Sequence, residues 1–172
     1  MAVLRLCRSV DGQRSDFEEV FLADYARVVR VVAPIVGSVE DAEAVTQEAF
    51  IKAFTRWRRI GGYDQPGAWV RRVAIRDAVR LAERNRRPVP EPSPGVDPAD
   101  TAAKNVDLVR LLQGLPPRQR ACVVLYYLAS WSTAEVAESL GCSAATVRVH
   151  LHRAKSTLAA ALGEREEVTD ER

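Results

Sequence analysis

The sequence predicts an all-α protein: two small helical domains joined by a proline-rich linker, the second a helix-turn-helix domain. Three observations carry this. Apolar residues recur at helical spacing through most of the 172-residue chain, whereas no run alternates with period two and no Asn-Gly or Asp-Gly hairpin joins strand-like segments. Pro88, Pro90, Pro92, Pro94 and Pro98, five of the nine prolines, crowd into one stretch. Between Ser132 and Lys155, a small residue (Ala137), a glycine four positions on (Gly141) and a valine six further (Val147) have the spacing at which two helices meet across a tight turn.

Residues 1–14 precede the first helix signal and are expected to be a flexible N-terminus. The first domain spans 15–87. Ser15 and Glu18 form an S-x-x-E capping box, after which Phe17, Phe21, Tyr25, Val28, Val32 and Ile35 follow helical spacing to about Gly37. Pro34 should kink or end that helix, and Ser38 can cap a second one, from Val39 to about Arg59. Its apolar arc carries Ala42, Val45, Ala49, Phe50, Ala53, Phe54 and Trp57, opposite Glu40, Asp41, Gln47, Glu48 and Lys52. Turn formers fill Ile60 to Gly67, and Pro66 suits the first turn of a third helix reaching about Arg87. Alternate prolines then favour extended backbone, so 88–104 reads as a semi-rigid linker, or alternatively as a proline-rich ligand for a partner domain.

The second domain spans 105–162. Val106, Val109, Leu112 and Leu115 suggest a short helix ended by Pro116 and Pro117, and Ala121, Val124, Leu125 and Leu128 a second. The helix-turn-helix completes the domain, with a capping box at Ser132 and Glu135 and Ser143 as N-cap of the last helix. Residues 163–172 form a charged C-terminal tail, expected to be flexible.

Composition limits the function. An apolar fraction of 47% suits packed cores, and a net charge of +2 is too mild to mark a nucleic-acid binder, so that signal must come from local clustering. Cys7, Cys122 and Cys142 contain no C-x-x-C pair; they read as small buried residues in a reducing cytoplasm rather than as disulfide or zinc ligands. Arg5 and Arg8 interrupt the N-terminal apolar run, and no segment has the length of a membrane span, so a cytoplasmic chain without membrane insertion is expected. His150 and His152 are the only histidines and lie on different helix faces. Without a nucleotide-binding loop or nucleophile elbow, no catalytic residue, metal or cofactor is expected, and the chain does not read as an enzyme.

Binding surfaces remain. With Val147 inward, Leu151, Ala154 and Leu158 share its face, while Ala145, Arg148, Val149, His152, Arg153 and Lys155 point away. In a major groove, Arg148 would contact guanine, Ala145 and Val149 thymine methyls, and Arg153 or Lys155 phosphates; the alternative is a solvated helix with scattered basic residues. In the first domain, Arg71, Arg72, Arg76, Arg80, Arg84, Arg86 and Arg87 outnumber Asp77 and Glu83. Beside Trp69 and Tyr63 they fit phosphate contact with base stacking, although Trp69 also suits a place in the core. The acidic residues Glu40, Asp41, Glu43 and Glu48 could be a solvated face, a metal cluster or a docking surface.

The motifs DAEAVTQEAF (41–50), WVRRVA (69–74), LPPRQR (115–120) and EVAESLGCSAATVR (135–148) resemble, in this order, the extracytoplasmic-function (ECF) group of the bacterial sigma-70 family of RNA polymerase sigma factors. The resemblance covers about residues 16–162. It implies a sigma factor that binds core RNA polymerase and directs promoter-specific transcription initiation, held inactive by an anti-sigma factor. Asp41, Glu43, Gln47 and Glu48 would dock on polymerase. Tyr63, Trp69, Arg72, Arg76 and Arg80 would engage the melted −10 element, and Ala144, Ala145, Thr146, Arg148, Val149, His152, Arg153 and Lys155 the −35 element. Arg76 stands where the family often has asparagine, and Val149 and His150 replace a frequent serine and arginine. A helix-turn-helix regulator binding a palindromic operator as a dimer is the competing reading; it needs neither the acidic helix nor the arginine-rich one.

Overall fold

The computed structural model describes the backbone of residues 2–85 and 108–170 and the side chains of residues 16–85 and 108–162; the linker at 88–104 lies outside them. In chain order the helices are α1 (Ala2–Val36), α2 (Val39–Thr55), α3 (Trp57–Ile60) and α4 (Pro66–Arg84) in the first domain. The second contains α5 (residues 108–113), α6 (Pro117–Val123), a π-helical turn (Val124–Leu128), α7 (Thr133–Leu140) and α8 (Ala144–Asp170). Among the described residues there is no strand.

Helices α1, α2 and α4 pack against one another in all three pairings. Ala42, Ala49 and Ala53 of α2 and Ala74 and Ala78 of α4 are fully buried, and their small side chains let these two helices approach closely. Helix α1 fills the remaining space with Val28, Val32 and Ile35. An aromatic cluster closes one end: the Phe17 ring stands edge-on to Trp57 at 5.1 Å and to Phe50 at 6.3 Å, both favourable geometries. Phe54 touches the Phe17 ring at 5.0 Å yet is 57% exposed, so it lies at the border of the apolar arc rather than inside it.

Several boundaries differ from the sequence reading. Helix α1 starts at Ala2, so Ser15 lies within it and forms no N-terminal cap. Ala2, Leu4, Arg5, Leu6 and Arg8 are good helix formers, which favours propagation through this segment. The backbone is likewise helical from 163 to Asp170. Pro34 is accommodated in the last turn of α1, which ends at Gly37 in the left-handed region, φ 87°. The second helix breaks at Arg56, and the short α3 buries Trp57 and Ile60. Pro66 does occupy the first turn of α4.

The largest change of register is in the second domain. The Ala129 N–H bonds to the Val124 carbonyl at 3.0 Å, the wider ring of a π-helical turn. That extra residue turns Tyr126, Tyr127 and Leu128 outward, so Leu128 is half-exposed instead of buried. Ala121, Val124 and Leu125 stay in the core.

The two domains pack directly, with α4 against α6 and α7 and α1 against the π-helical turn. Their polar contacts close the end of α1, whose last carbonyls have no partner within the helix. Gln113 Nε2 donates to the Pro34 carbonyl at 3.1 Å, and Arg120 Nη1 to the Ile35 carbonyl at 2.9 Å. Gly37 makes this seam possible: a Cβ there would lie 2.6 Å from the Gln113 side chain. Gly37→Ala combines that clash with a strained left-handed backbone and is expected to cost about 1–3 kcal/mol. Urea unfolding checks this as a fall in midpoint at unchanged slope.

Candidate nucleic-acid and docking surfaces

The helix-turn-helix forms as its spacing requires. Ser132 and Glu135 make the reciprocal capping box: the Glu135 N–H donates to Ser132 Oγ at 3.2 Å, and Ser132 N–H and Oγ–H donate to Glu135 Oε2 at 2.8 and 2.7 Å. Those bonds hold the Glu135 carboxyl below its ordinary pKa, the side-chain bond contributing most. Helix α7 ends at Gly141, φ 67° and ψ 42°, and the Cys142 N–H returns to the Ala137 carbonyl at 3.0 Å. Ser143 then caps α8, accepting from the Thr146 N–H at 3.0 Å. Val136, Ala137, Val147 and Ala154 are buried between the helices.

This packing fixes which side of α8 is free. Ala145, Arg148, Val149, His152, Arg153 and Lys155 are all exposed, in register with one another. Ala144 is half-buried against the core, and Thr146 is half-buried with its Oγ1 2.8 Å from Ser143 Oγ, so both serve the start of the helix more than its outer face. His150 points the other way, into a cavity of about 260 Å³ between the domains, beside Arg80, Glu83, Arg118 and Cys142. Burial holds its imidazole below the ordinary pKa, and Arg118 and Arg153 add to the shift.

The five first-domain residues expected at a DNA strand separate into three groups. Tyr63, on the turn before α4, and Arg80 are exposed, the latter donating to Asp77 Oδ1 at 3.0 Å. Trp69 is half-buried against the core. Half-buried Arg72 and exposed Arg76 contact the second domain: Arg72 pairs with Glu138, and Arg76 donates to the Ser139 carbonyl at 2.8 Å and the Glu138 carbonyl at 2.9 Å. Beside them the Arg71 guanidinium lies 6.0 Å from the centre of the Trp131 ring. None of these partners is adjacent in sequence, which is why spacing did not disclose them.

On α2, Glu43, Gln47 and Glu48 are exposed, while Asp41 is half-buried in the first turn, its N–H donating to Ser38 Oγ at 3.2 Å. Glu48 lies 3.6 Å from Lys52, which also pairs with Asp77 at 2.9 Å. Four positions beyond Gln47 comes Ile51, half-exposed, and Phe54 follows within another turn. The surface is therefore mixed, acidic at one end and apolar at the other, and sequence reasoning missed its apolar half. The signal was present: Ile51 falls on the polar side of the helical period.

Among the described residues no three His, Cys, Asp or Glu side chains gather as metal ligands, and no helix is long and apolar enough to cross a membrane. Cys122 is buried and its thiol pushed up to about 12, chiefly by burial, as befits a core residue; Cys142 is half-buried. The side chain of Cys7 lies outside the described residues.

Comparison with known proteins finds matches over both domains. Residues 20–88 match the family model for Sigma-70 region 2, and residues 105–158 that for Sigma-70 region 4. The ECF RNA polymerase sigma factor SigG of Mycobacterium tuberculosis is 34% identical over 155 residues, covering 71% of this chain and 42% of that protein. The chain thus spans less than half the length of SigG. The RNA polymerase sigma-E factor of Streptomyces coelicolor is 33% identical over 153 residues and covers 86% of each chain. Among solved structures, CnrH in complex with the cytosolic domain of CnrY aligns with a TM-score of 0.65 at 22% identity, over 92% of this chain and 94% of that one. The sigma factor RpoE, in complex with the anti-sigma factor NepR from Bartonella quintana, aligns at 0.64 and 20% identity over 86% and 97%. These two likenesses concern the fold.

Proposed function

The chain belongs to the sigma-70 family of RNA polymerase sigma factors, in its ECF group, and from that membership we propose that it binds core RNA polymerase and directs initiation at a limited set of promoters. The observation that carries this reading is one chain holding both a capped helix-turn-helix with an open outer face and a separate acidic helix face. A stand-alone operator-binding regulator has use for the first and none for the second.

On this reading the exposed side of α8 enters the major groove of the −35 element. Arg148 contacts a base edge, Ala145 and Val149 thymine methyls, and Arg153 and Lys155 phosphates, with His152 along the same side. Ala144 and Thr146 hold the helix start close to the duplex. Tyr63 and the arginines of α4 engage the opened −10 strand, holding a base out of the stack and the phosphates beside it without any input of ATP. The α2 surface of Asp41, Glu43, Gln47 and Glu48 docks on a basic surface of polymerase, where charge complementarity speeds and orients the encounter and the apolar Ile51 and Phe54 add buried area. The chain contributes recognition and no chemistry of its own, is not an enzyme, and needs no metal or cofactor. It works in the bacterial cytoplasm with the polymerase, and an anti-sigma factor is its regulatory partner, as for the structural relative bound by NepR.

Glu48→Lys tests the docking surface. It reverses one exposed charge and sets a second cation against Lys52, so polymerase association should weaken about tenfold or more, equivalent to about 1.4 kcal/mol. Binding of a −35 duplex by the same protein should stay unchanged. Competition for core polymerase against labelled wild type measures the first, and fluorescence anisotropy the second; unchanged competition removes α2 from the docking surface.

A further inference from the structure

The cavity of about 260 Å³ beside His150 has basic walls. Arg76 and Arg80 line it from α4, Arg118 from α6 and His150 from α8, and Glu83 is the one carboxylate among its lining residues. The protein uses only part of what these guanidiniums offer. Arg76 donates through Nε and Nη2 to the Ser139 and Glu138 carbonyls, Arg80 through Nη1 to Asp77, and Arg118 through Nε to Glu83 at 3.0 Å. A guanidinium carries five N–H donors, so all three arginines keep donors to spare. Positive charge is also in excess: even with Asp77 counted beside Arg80, three cations meet two carboxylates, because the carbonyls on Arg76 carry no full charge. The His150 imidazole registers that field, its pKa lowered first by burial and then by Arg118 and Arg153. Arg76, Arg80 and Arg118 are exposed, so the cavity is reached from solvent with the domains packed as they are.

We propose that this cavity binds a small phosphorylated metabolite, its phosphate held among Arg76, Arg80 and Arg118 and its organic part against Val79 and Leu140. A phosphate gathers several acceptor oxygens around one centre, which suits arginines arriving from two helices, each with charge-assisted donors left over. A carboxylate has too few oxygens to engage all three. The volume falls just below the roughly 300–1,000 Å³ of most ligand pockets, so the occupant is smaller than a nucleotide. Val79 and Leu140 supply apolar lining that inorganic phosphate would leave uncovered and a short organic group would cover. Glu83 orients Arg118 but opposes the anion by its own charge. The site uses neither the outer face of α8 nor the exposed face of α2, so it is independent of the −35 and polymerase assignments.

Full-length protein in phosphate-free buffer, titrated with phenyl phosphate and followed by NMR through its two histidines, tests this. The His150 imidazole resonances should move and saturate, and that ring should titrate at higher pH as the anion offsets Arg118 and Arg153. His152, exposed on the outer face of α8, should not respond. Arg118→Gln should weaken binding about tenfold, the scale of a lost charged hydrogen bond, whereas Arg27→Gln, at an exposed position of α1, should leave it unchanged. Glu83→Gln should tighten binding about threefold by removing a like charge. Inorganic phosphate should bind about fivefold more weakly than phenyl phosphate, which covers the apolar lining. A His150 signal that stays still, or a His152 signal that moves in step with it, would overturn the site. Equal losses in Arg118→Gln and Arg27→Gln would reduce the binding to general charge, and equal affinity for the two probes would overturn the organic phosphate.

Discussion

Replacing Arg120 with alanine should cost the folded protein about 2–5 kcal/mol, because two buried carbonyls lose the donor that compensates their removal from water. Arg120 is 6% exposed, yet its guanidinium is held by the Ile35 carbonyl at 2.9 Å, the Leu115 carbonyl at 3.2 Å and the Gln113 side chain. Burial lowers its pKa from the ordinary arginine value. The charge stays because arginine titrates far above neutrality and because each carbonyl presents its negative end. Truncation leaves a cavity of several methylenes and unpaired acceptors at the ends of α1 and α5, damaging both domains and the seam between them. Urea unfolding should show a clear fall in midpoint. Arg120→Lys should recover only part of the loss, since an ammonium cannot span the same acceptors as a planar fork. A loss below about 1 kcal/mol for the alanine variant would mean that water replaces the guanidinium at little cost.

The second large effect falls on specificity. Arg148→Ala should relax discrimination at one base pair of the −35 element by about 1–3 kcal/mol while leaving the fold intact. Arg148 is exposed, and the Val147 beside it is fully buried and fixes the rotation of α8. Titration of duplexes substituted one position at a time measures the effect. Equal weakening on every duplex, with a shallower salt dependence, would assign Arg148 to a phosphate.

What could be read from the sequence was local. The Ser132–Glu135 box, the left-handed Gly141, the Ser143 cap and the buried Val147 each depend on residues within a few positions of one another, and all four stand where spacing put them. Pro66 marked the start of α4 for the same reason. Elements set by distant partners were not legible. The period of Ala121, Val124, Leu125 and Leu128 describes an ordinary helix, and only packing against α1 reveals the π-helical turn that ejects Leu128. Nothing local to Arg120 marks it as buried; its place is set by the end of α1 brought against it. Arg72 and Arg76 share a face on any helical wheel, but their partners in α7 lie more than sixty residues away. The exposed Tyr126, Tyr127, Ile51 and Phe54 were likewise hidden among apolar residues whose side only tertiary structure decides.

In the proposed function, two recognition surfaces on one chain act through polymerase. Transcription from promoter-bearing DNA by core RNA polymerase, with and without the purified protein, tests it most directly. Specific initiation is expected only when the protein is present, lost in Glu48→Lys at limiting protein and redirected among −35 variants by Arg148→Ala. Tight binding to a palindromic duplex without polymerase, with no initiation when core is added, would contradict it.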